Sequence, residues 1–357
     1  MNPDAFKILT GTKTSIGLTW YAMTGPNPNF VNTPKFINGA SYNDITVAVG
    51  SGGNAIGDCS IAITSNAANS NEKPFKWQAI PAIASDTGIP GVSTNYTLID
   101  AVFDDVRNNF LLVGKNCYVI LTPASLAATL YKTSVAMSTA DPLFLNTVKF
   151  SGGNFYAVGS GGGIFIGSRT AINVDNGGYA WNKRSSQSTD NLLDIDTSTG
   201  TFIAVGGYSF LRSDDWGLTW VNQYSIKIQP LQDTFGMSIR GLHKIFYCGV
   251  STWLLAAQDQ NNAAILLLST NNGDSWIYLD DFSKKSVFYS AKIKNIFRLR
   301  GLTYVINDSG QLFMSDDLVK WTLVNNLYSG FYKDCIILDR VKSKMFALSN
   351  NSYSVSM

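Results

Sequence analysis

A short apolar run, mostly closed by a small or polar residue, recurs along the chain. It reads Val47-Ala48-Val49-Gly50, Phe110-Leu111-Leu112-Val113-Gly114, Phe155-Tyr156-Ala157-Val158-Gly159, Phe202-Ile203-Ala204-Val205-Gly206, Trp253-Leu254-Leu255-Ala256-Ala257, Thr303-Tyr304-Val305-Ile306-Asn307 and Met345-Phe346-Ala347-Leu348-Ser349. Runs this short, rich in β-branched and aromatic residues and bounded by turn formers, predict buried strands rather than helices. Another strand follows after a polar or glycine turn, as in Ile164-Phe165-Ile166, Phe210-Leu211-Arg212, Ile265-Leu266-Leu267 and Leu312-Phe313-Met314. A further strand opens on an aromatic anchor: Trp20, Trp77, Tyr131, Trp181, Trp220, Trp276 or Trp321. Seven anchors over 357 residues give 51 residues per repeat, the scale of an array of small β-sheets. No segment keeps a helical period, so little helix is expected.

The two ends of the chain complement each other. Cys335 to Leu338 and Met345 to Ser349 read as strands without a tryptophan strand after them, whereas Leu18 to Ala22 is a tryptophan strand with nothing before it. Together they complete a seventh repeat from 1–24 and 331–357, which would leave no open sheet edge. Ser352 to Met357 and Ile8 to Thr14 both fit the one remaining slot in it. No linker divides the chain, so residues 1–357 are expected to form one domain. The Pro/Gly/Asn-rich stretches Gly25 to Pro34 and Ala82 to Tyr96 fall between repeats.

Composition narrows the function classes. Apolar residues reach 45% and charged residues only 15%, so the chain folds but covers itself with Asn, Ser, Thr and Gly rather than charge. The net charge is +2, and the densest basic cluster, Lys284 to Arg300, is too sparse for a nucleic-acid footprint. No basic segment leads into an apolar one after Met1, so no secretory signal is expected, and no window of about 18 apolar residues predicts a membrane span. Cys59, Cys117, Cys248 and Cys335 are far apart and form no CxxC pair, so free thiols and no zinc site are expected. One histidine, His243, builds no multi-histidine metal site and is expected to be a surface or packed residue.

The sharpest motif is Ser213-Asp214-Asp215-Trp216-Gly217-Leu218-Thr219-Trp220, with Ser213, Asp215, Gly217, Thr219 and Trp220 at the fixed positions of S-x-D-x-G-x-T-W. Ser269, Asn271, Gly273 and Trp276 repeat it with Asn for Asp, and Ser315, Asp317 and Trp321 repeat it one residue shorter and without the glycine. Gly17 to Trp20 and Asn176 to Trp181 are weaker echoes. This motif resembles the Asp-box, or BNR repeat, of sialidases, sortilin-type receptors and photosystem II assembly propellers. The resemblance implies an all-β fold, a seven-bladed β-propeller closed by pairing of the terminal strands in one blade. It implies a structural role for Asp215, as a clasp for the turn between third and fourth strands, with the glycine free to take positive φ and the tryptophan buried between blades.

A sialidase-like glycoside hydrolase would need an arginine triad to grip a carboxylate. Here the early Arg-Ile-Pro signature is absent, the first arginine is Arg107 and Glu72 is the only glutamate. No Ser/His/Asp constellation is visible. The chain is therefore expected to be no enzyme, to use no metal or cofactor, and to have no catalytic residues. The charge-poor, almost histidine-free composition is similar to tailed-phage virion proteins. The expected function is a binding or structural virion propeller contacting a host glycan, a host protein or a neighbouring virion protein, without nucleic-acid binding or membrane insertion. An assembly or scaffolding propeller of a bacterium, cytoplasmic or exported by a route without a visible signal, is the other non-enzymatic reading. Propeller topology puts the turns between second and third strands on one face with the inter-blade loops, among them Asn27 to Thr33 and Tyr224 to Phe235. Tyr208, Gln258, Asp259, Asp308, Asn54 and Phe30 are the candidate binding residues there, because amides and aromatic faces suit sugars and polar protein surfaces.

Overall fold

A computed structural model describes residues 20–23, 35–42, 45–51, 61–65, 77–80, 98–114, 117–121, 130–133, 144–173, 178–236, 238–279, 292–308, 310–326, 335–339, 344–348 and 353–356. The elements follow the periodicity of the chain. After β1 (Trp20–Met23) come β2 (Lys35–Tyr42), β3 (Ile45–Ser51), β4 (Ile61–Ser65) and β5 (Trp77–Ile80). Next are β6 (Leu98–Asp104), β7 (Asn109–Gly114), β8 (Cys117–Leu121) and β9 (Leu130–Thr133), then β10 (Leu145–Ser151), β11 (Asn154–Gly159), β12 (Ile164–Asn173) and β13 (Gly178–Arg184). They are followed by β14 (Asp194–Thr197), β15 (Phe202–Gly206), β16 (Ser209–Ser213) and β17 (Val221–Asn222), and by the helices α1 (Tyr224–Lys227) and α2 (Gln229–Phe235). The chain continues through β18 (Ile239–Gly249), β19 (Thr252–Asp259), β20 (Ala264–Ser269), β21 (Ile277–Tyr278), β22 (Ile293–Leu299), β23 (Leu302–Asn307), β24 (Gln311–Ser315) and β25 (Thr322–Asn326). It ends on β26 (Cys335–Asp339), β27 (Lys344–Leu348) and β28 (Tyr353–Ser356).

Every sheet among the described residues is an antiparallel meander of four strands in chain order, with one exception. The exception runs β1-β28-β27-β26, with Trp20 opposite Ser356 and Met23 opposite Tyr353. Tyr353–Ser356 thus takes the slot for which two segments competed, and Ile8 to Thr14 lies outside the described residues. The sheets belong to two compact units, residues 1–136 with 327–357 and residues 137–326.

In the 137–326 unit the recurrent apolar runs are the second strands, buried on both faces: β15 is buried at every residue, and β19 from Trp253 to Ala257. That is why they read as unbroken apolar stretches rather than alternating ones. Sheets pack face to face. Tyr156, Val158, Ile164 and Ile166 of one sheet share a cluster with Ile195, Phe202, Ala204 and Trp220 of the next. Ile203, Val205 and Phe210 pack with Leu255, Ile265 and Trp276, and Leu254, Leu266 and Leu268 pack with Val305, Phe313 and Trp321. In each case the tryptophan before the fourth strand enters the cluster shared with the preceding sheet. In the other unit Val47 and Val49 pack against Leu98, Phe110 and Leu112.

The expectation of a bare loop from Tyr224 to Phe235 is corrected. The segment forms α1 and α2, neither of which buries a residue. A proline in the first turn of α2 and Gly236 at φ +62 as its C-cap mark its limits. No helix among the described residues is long and apolar enough to cross a membrane.

Candidate functional site

Three side-chain systems stand out, all built on the ends or inner edges of the sheets. The first is the turn between third and fourth strands. At Ser213–Trp220 the Asp215 carboxylate accepts from the Ser213 hydroxyl at 2.7 Å and from the Thr219 amide and hydroxyl at 2.9 and 2.6 Å. Ser213 Oγ accepts the Gly217 amide at 2.9 Å, and Trp220 Nε1 donates to the Gly217 carbonyl at 2.8 Å. The Thr219 hydroxyl and amide hold the Asp215 carboxyl down to about 2. Gly217 has φ +78, and a Cβ there would sit 2.9 Å from the Tyr156 ring of the preceding sheet. Glycine is required on both counts.

At Ser269–Trp276 the same shape is made without charge. Asn271 Oδ1 accepts the Ser269 hydroxyl and the Ser275 amide, and its Nδ2 donates to Ser275 Oγ at 2.9 Å. At Ser315–Trp321 the shorter turn has Asp317 accepting the Val319 and Lys320 amides at 2.8 and 2.7 Å, and these amides hold its carboxyl below the usual range. At the second turn the residue immediately after the acceptor also reaches the preceding sheet. Asn272 takes hydrogen bonds from Trp253 Nε1 and the Ser198 hydroxyl and donates to Thr201 Oγ1. Arg212 ties the first two turns together, with Nε 2.8 Å from Asp214 and Nη1 2.7 Å from Asp274, while Lys227 of α1 donates to the Asp274 carbonyl.

The second system lies at the opposite ends of the strands. Tyr208, Asp259 and Asp308 occupy or flank the equivalent turns between second and third strands of three successive sheets. Tyr208 is 56% exposed and stands edge-on to Tyr224 of α1 at 5.7 Å. Its turn is fixed by Asp190, whose carboxylate accepts the Tyr208 amide and the Ser209 hydroxyl at 3.0 and 2.8 Å. Gln258 donates weakly to the Asn262 carbonyl, and Asp259 is occupied in its own turn, accepting the Ala263 amide at 2.7 Å. The Asp308 amide donates to the Lys292 carbonyl. These side chains share an end of the unit. Asn54 and Phe30 lie outside the described residues.

The third system, the polar lining of the first strands, has no counterpart among the residues singled out in the sequence. Asp194 and Asp196 of β14 accept the Ile245 and Tyr247 amides of β18 at 3.1 and 2.8 Å. These amides face away from β19, so the carboxylates satisfy the free edge of the neighbouring sheet. Lys244 lies 3.6 Å from Asp194 and Lys149 4.0 Å from Asp196. In the other unit Asn38 donates to Asp100 at 2.6 Å across the same kind of junction. A sequence signal existed: an acid or amide stands three or four residues into several first strands, as in Phe36-Ile37-Asn38, Leu98-Ile99-Asp100 and Ile293-Lys294-Asn295.

His243 is packed, 3% exposed. Burial, then Lys292 and Lys244, push its imidazole down to about 3. Cys248 is a buried free thiol that burial pushes up to about 12, which makes it a poor nucleophile. Among the described residues no three His, Cys, Asp or Glu side chains converge as a metal site would require.

In sequence, no family model matches the chain and no curated protein does. Solved structures do resemble it. YCF48 bound to D1 peptide superposes with a TM-score of 0.61 at 13% identity, over 95% of this chain and 94% of that one. The WD40 β-propeller domain of Doa1 gives 0.60 at 8% identity, over 94% and 95%, and the RRP9 WD40 repeats give 0.60 at 10%, over 94% and 99%. At such identities the likeness establishes the fold alone, which is that of a β-propeller.

Proposed function

We propose that the chain is a non-enzymatic binding propeller whose partner is a protein, held at the end that carries Tyr208. One observation carries this reading: Tyr208 is an exposed aromatic on a turn locked by Asp190 and braced by Tyr224. That combination gives contact area at little entropic cost. A protein partner is consistent with the fold, and YCF48, a similar propeller, holds a D1 peptide. The same likeness favours an assembly or scaffolding role as the second reading.

The finer architecture is part of the proposal. Four-stranded sheets built on seven anchors, one of them joining both ends of the chain, support seven blades closed as one domain over 1–357. The clasp geometry at Asp215, Asn271 and Asp317 supports Asp-box turns. A virion location, with a host protein, host glycan or virion neighbour as partner, rests on the charge-poor composition. Absence of hydrolase activity rests on the missing arginine triad.

The test is selection of a displayed random-peptide library on the immobilised protein, run beside a glycan array and a fluorogenic sialoside assay. A peptide consensus is expected, lost in a Tyr208→Ala, Asp308→Ala variant and retained when Leu218 and Val319, on the turns at the other end, are changed to Ser. Glycan binding without peptide enrichment, or loss only with the second set, overturns the placement. Sialoside turnover overturns the non-enzymatic reading.

A further inference from the structure

The pair Asn-Gly occurs at residues 38–39, 176–177 and 272–273. Asparagine before glycine is the pair most prone to lose side-chain ammonia, because glycine leaves the following amide nitrogen unshielded. The third pair sits in the Ser269–Trp276 turn, where the other two turns carry Trp216 and Leu318 at the place of Asn272. Of the three turns, this one alone presents an amide that can react at the position touching the preceding sheet.

Every group that would react there is held. Asn272 is left-handed, at φ +60, and its backbone amide donates to the Ser251 carbonyl at 2.7 Å. Its side-chain oxygen accepts Trp253 Nε1 at 3.0 Å and the Ser198 hydroxyl at 3.1 Å, and its Nδ2 donates to Thr201 Oγ1 at 2.9 Å. The Gly273 amide, which is the nucleophile, is buried and donates to Ser269 Oγ at 2.9 Å. Ser198 and Thr201 belong to the β14–β15 turn of the preceding sheet. Ring closure takes the Asn272 side chain off both of them and the Gly273 N–H off Ser269.

We propose that Asn272 is a deamidation site held closed by the fold, and that its conversion records and fixes a separation of the β14–β17 and β18–β21 sheets. When the turn leaves the preceding sheet, the Gly273 nitrogen loses its proton and attacks Asn272 Cγ. The N–Cγ bond forms, the Cγ–Nδ2 bond breaks, and ammonia leaves with that proton. Water then opens the cyclic imide at either carbonyl, giving aspartate or isoaspartate. The aspartate does not recover the old contact. An oxygen replaces Nδ2 opposite Thr201 Oγ1, whose own proton is already given to Asp214 at 2.8 Å, so two acceptors meet. Arg212 offers no relief, since it already serves Asp214 and Asp274. Isoaspartate lengthens the backbone beside Gly273, where even a Cβ would stand 2.8 Å from Ile203 Cδ1 of the preceding sheet. This site is independent of the peptide-binding face.

The whole protein is kept in warm, mildly alkaline buffer, and residue 272 is followed by peptide mapping with fragmentation that separates it from Asn271. A synthetic Ser269–Trp276 peptide is the open reference. When half of the peptide has converted, the natural protein should have converted far less. Thr201→Val removes one hold from the preceding sheet and should convert about tenfold faster than the natural protein, the change in a local opening equilibrium when one hydrogen bond is lost. Ser198→Ala is the milder second variant and should act in the same direction. Val47→Ala, at a buried position of the other unit, should leave the rate unchanged. Asn272→Asp should unfold at lower denaturant than the natural protein. Conversion of the natural protein at the rate of the peptide overturns the proposal, as does an unchanged rate in both Thr201→Val and Ser198→Ala. Equal acceleration in Val47→Ala also overturns it, because global unfolding is then the route. An Asn272→Asp variant as stable as the natural protein overturns the claim that conversion fixes the separation.

Discussion

The turns at Ser213–Trp220 and Ser269–Trp276 have one shape and two electrostatic solutions. At the first, a carboxylate accepts a threonine hydroxyl. At the second, an amide donates to a serine hydroxyl, and the polarity of that contact is inverted. Both keep one oxygen accepting a serine hydroxyl and a backbone amide. The geometry therefore depends on that shared oxygen, and the charge is an addition to it. A further difference follows: Trp220 Nε1 reaches the Gly217 carbonyl, whereas Trp276 Nε1 is buried without a partner.

Four experiments sharpen or break this comparison. The largest effects should come from the tryptophans. Trp220→Ala and Trp276→Ala should each lose about 3–5 kcal/mol in denaturant unfolding, the usual cost of emptying such a site. With Phe instead, Trp220 should lose about 1 kcal/mol more than Trp276, because only it gives up a hydrogen bond. Equal costs would mean that the indole contact at Gly217 contributes nothing.

Next come the clasps. Asp215→Ala should destabilise by about 2–3 kcal/mol and Asn271→Ala by about 1 kcal/mol, since bonds to an ionised acceptor are the stronger. A reversed order would place the strength of the turn in its backbone rather than its acceptor.

Acid separates the two turns further. The folded Asp215 carboxyl lies at about 2 and an unfolded aspartate at about 3.9. The folded value is depressed, so its stabilisation is complete above the unfolded value and is lost as pH falls through 4 towards 2. Asp317 is shifted in the same direction, and Asn271 does not titrate. Unfolding free energy measured from pH 5 to pH 2 should fall less steeply in Asp215→Asn than in the natural protein. An unchanged slope would remove Asp215 from the acid limb.

The smallest effect is expected for Asn271→Asp. It recreates the ionised clasp beside Ser275 and should stabilise by less than about 1 kcal/mol at neutral pH. Measurable destabilisation would show that the neutral turn is adapted to its own charge surroundings, including Asp274.

The sequence revealed the strands well and the links between sheets poorly. Phe202–Gly206 is buried along its whole length, so its apolar run needed no partner to be read. The tryptophan anchors were visible because bulk and turn chemistry stand side by side in Gly217 to Trp220. The helices α1 and α2 escaped because they are short: Tyr224, Ile228 and Leu231 pack on the sheet at helical spacing, but a stripe of three positions interrupted by Pro230 is too brief to stand out. Tyr208 was placed correctly on a turn, but its brace was not, since Asp190 lies 18 residues away. Asp194 was missed because its partner, Ile245, is 51 residues on, and a local pattern does not record which edge amide a carboxylate will meet. His243 was expected at the surface or in a packed position, and only packing resolved which.

The pairing of β1 with β28 sets a timetable for synthesis. Trp20 waits for Ser356, and a ribosome adding roughly 5–20 residues per second needs about 17–67 seconds to supply that partner. Closing a loop of this length costs about 5 kcal/mol of chain entropy on a (3/2)RT ln n scale, a cost met only after the other sheets can form. Until β1 docks, β28 offers an unpaired edge to any passing strand, so the last four strands to pair are those most exposed to chaperones and to exchange between two chains.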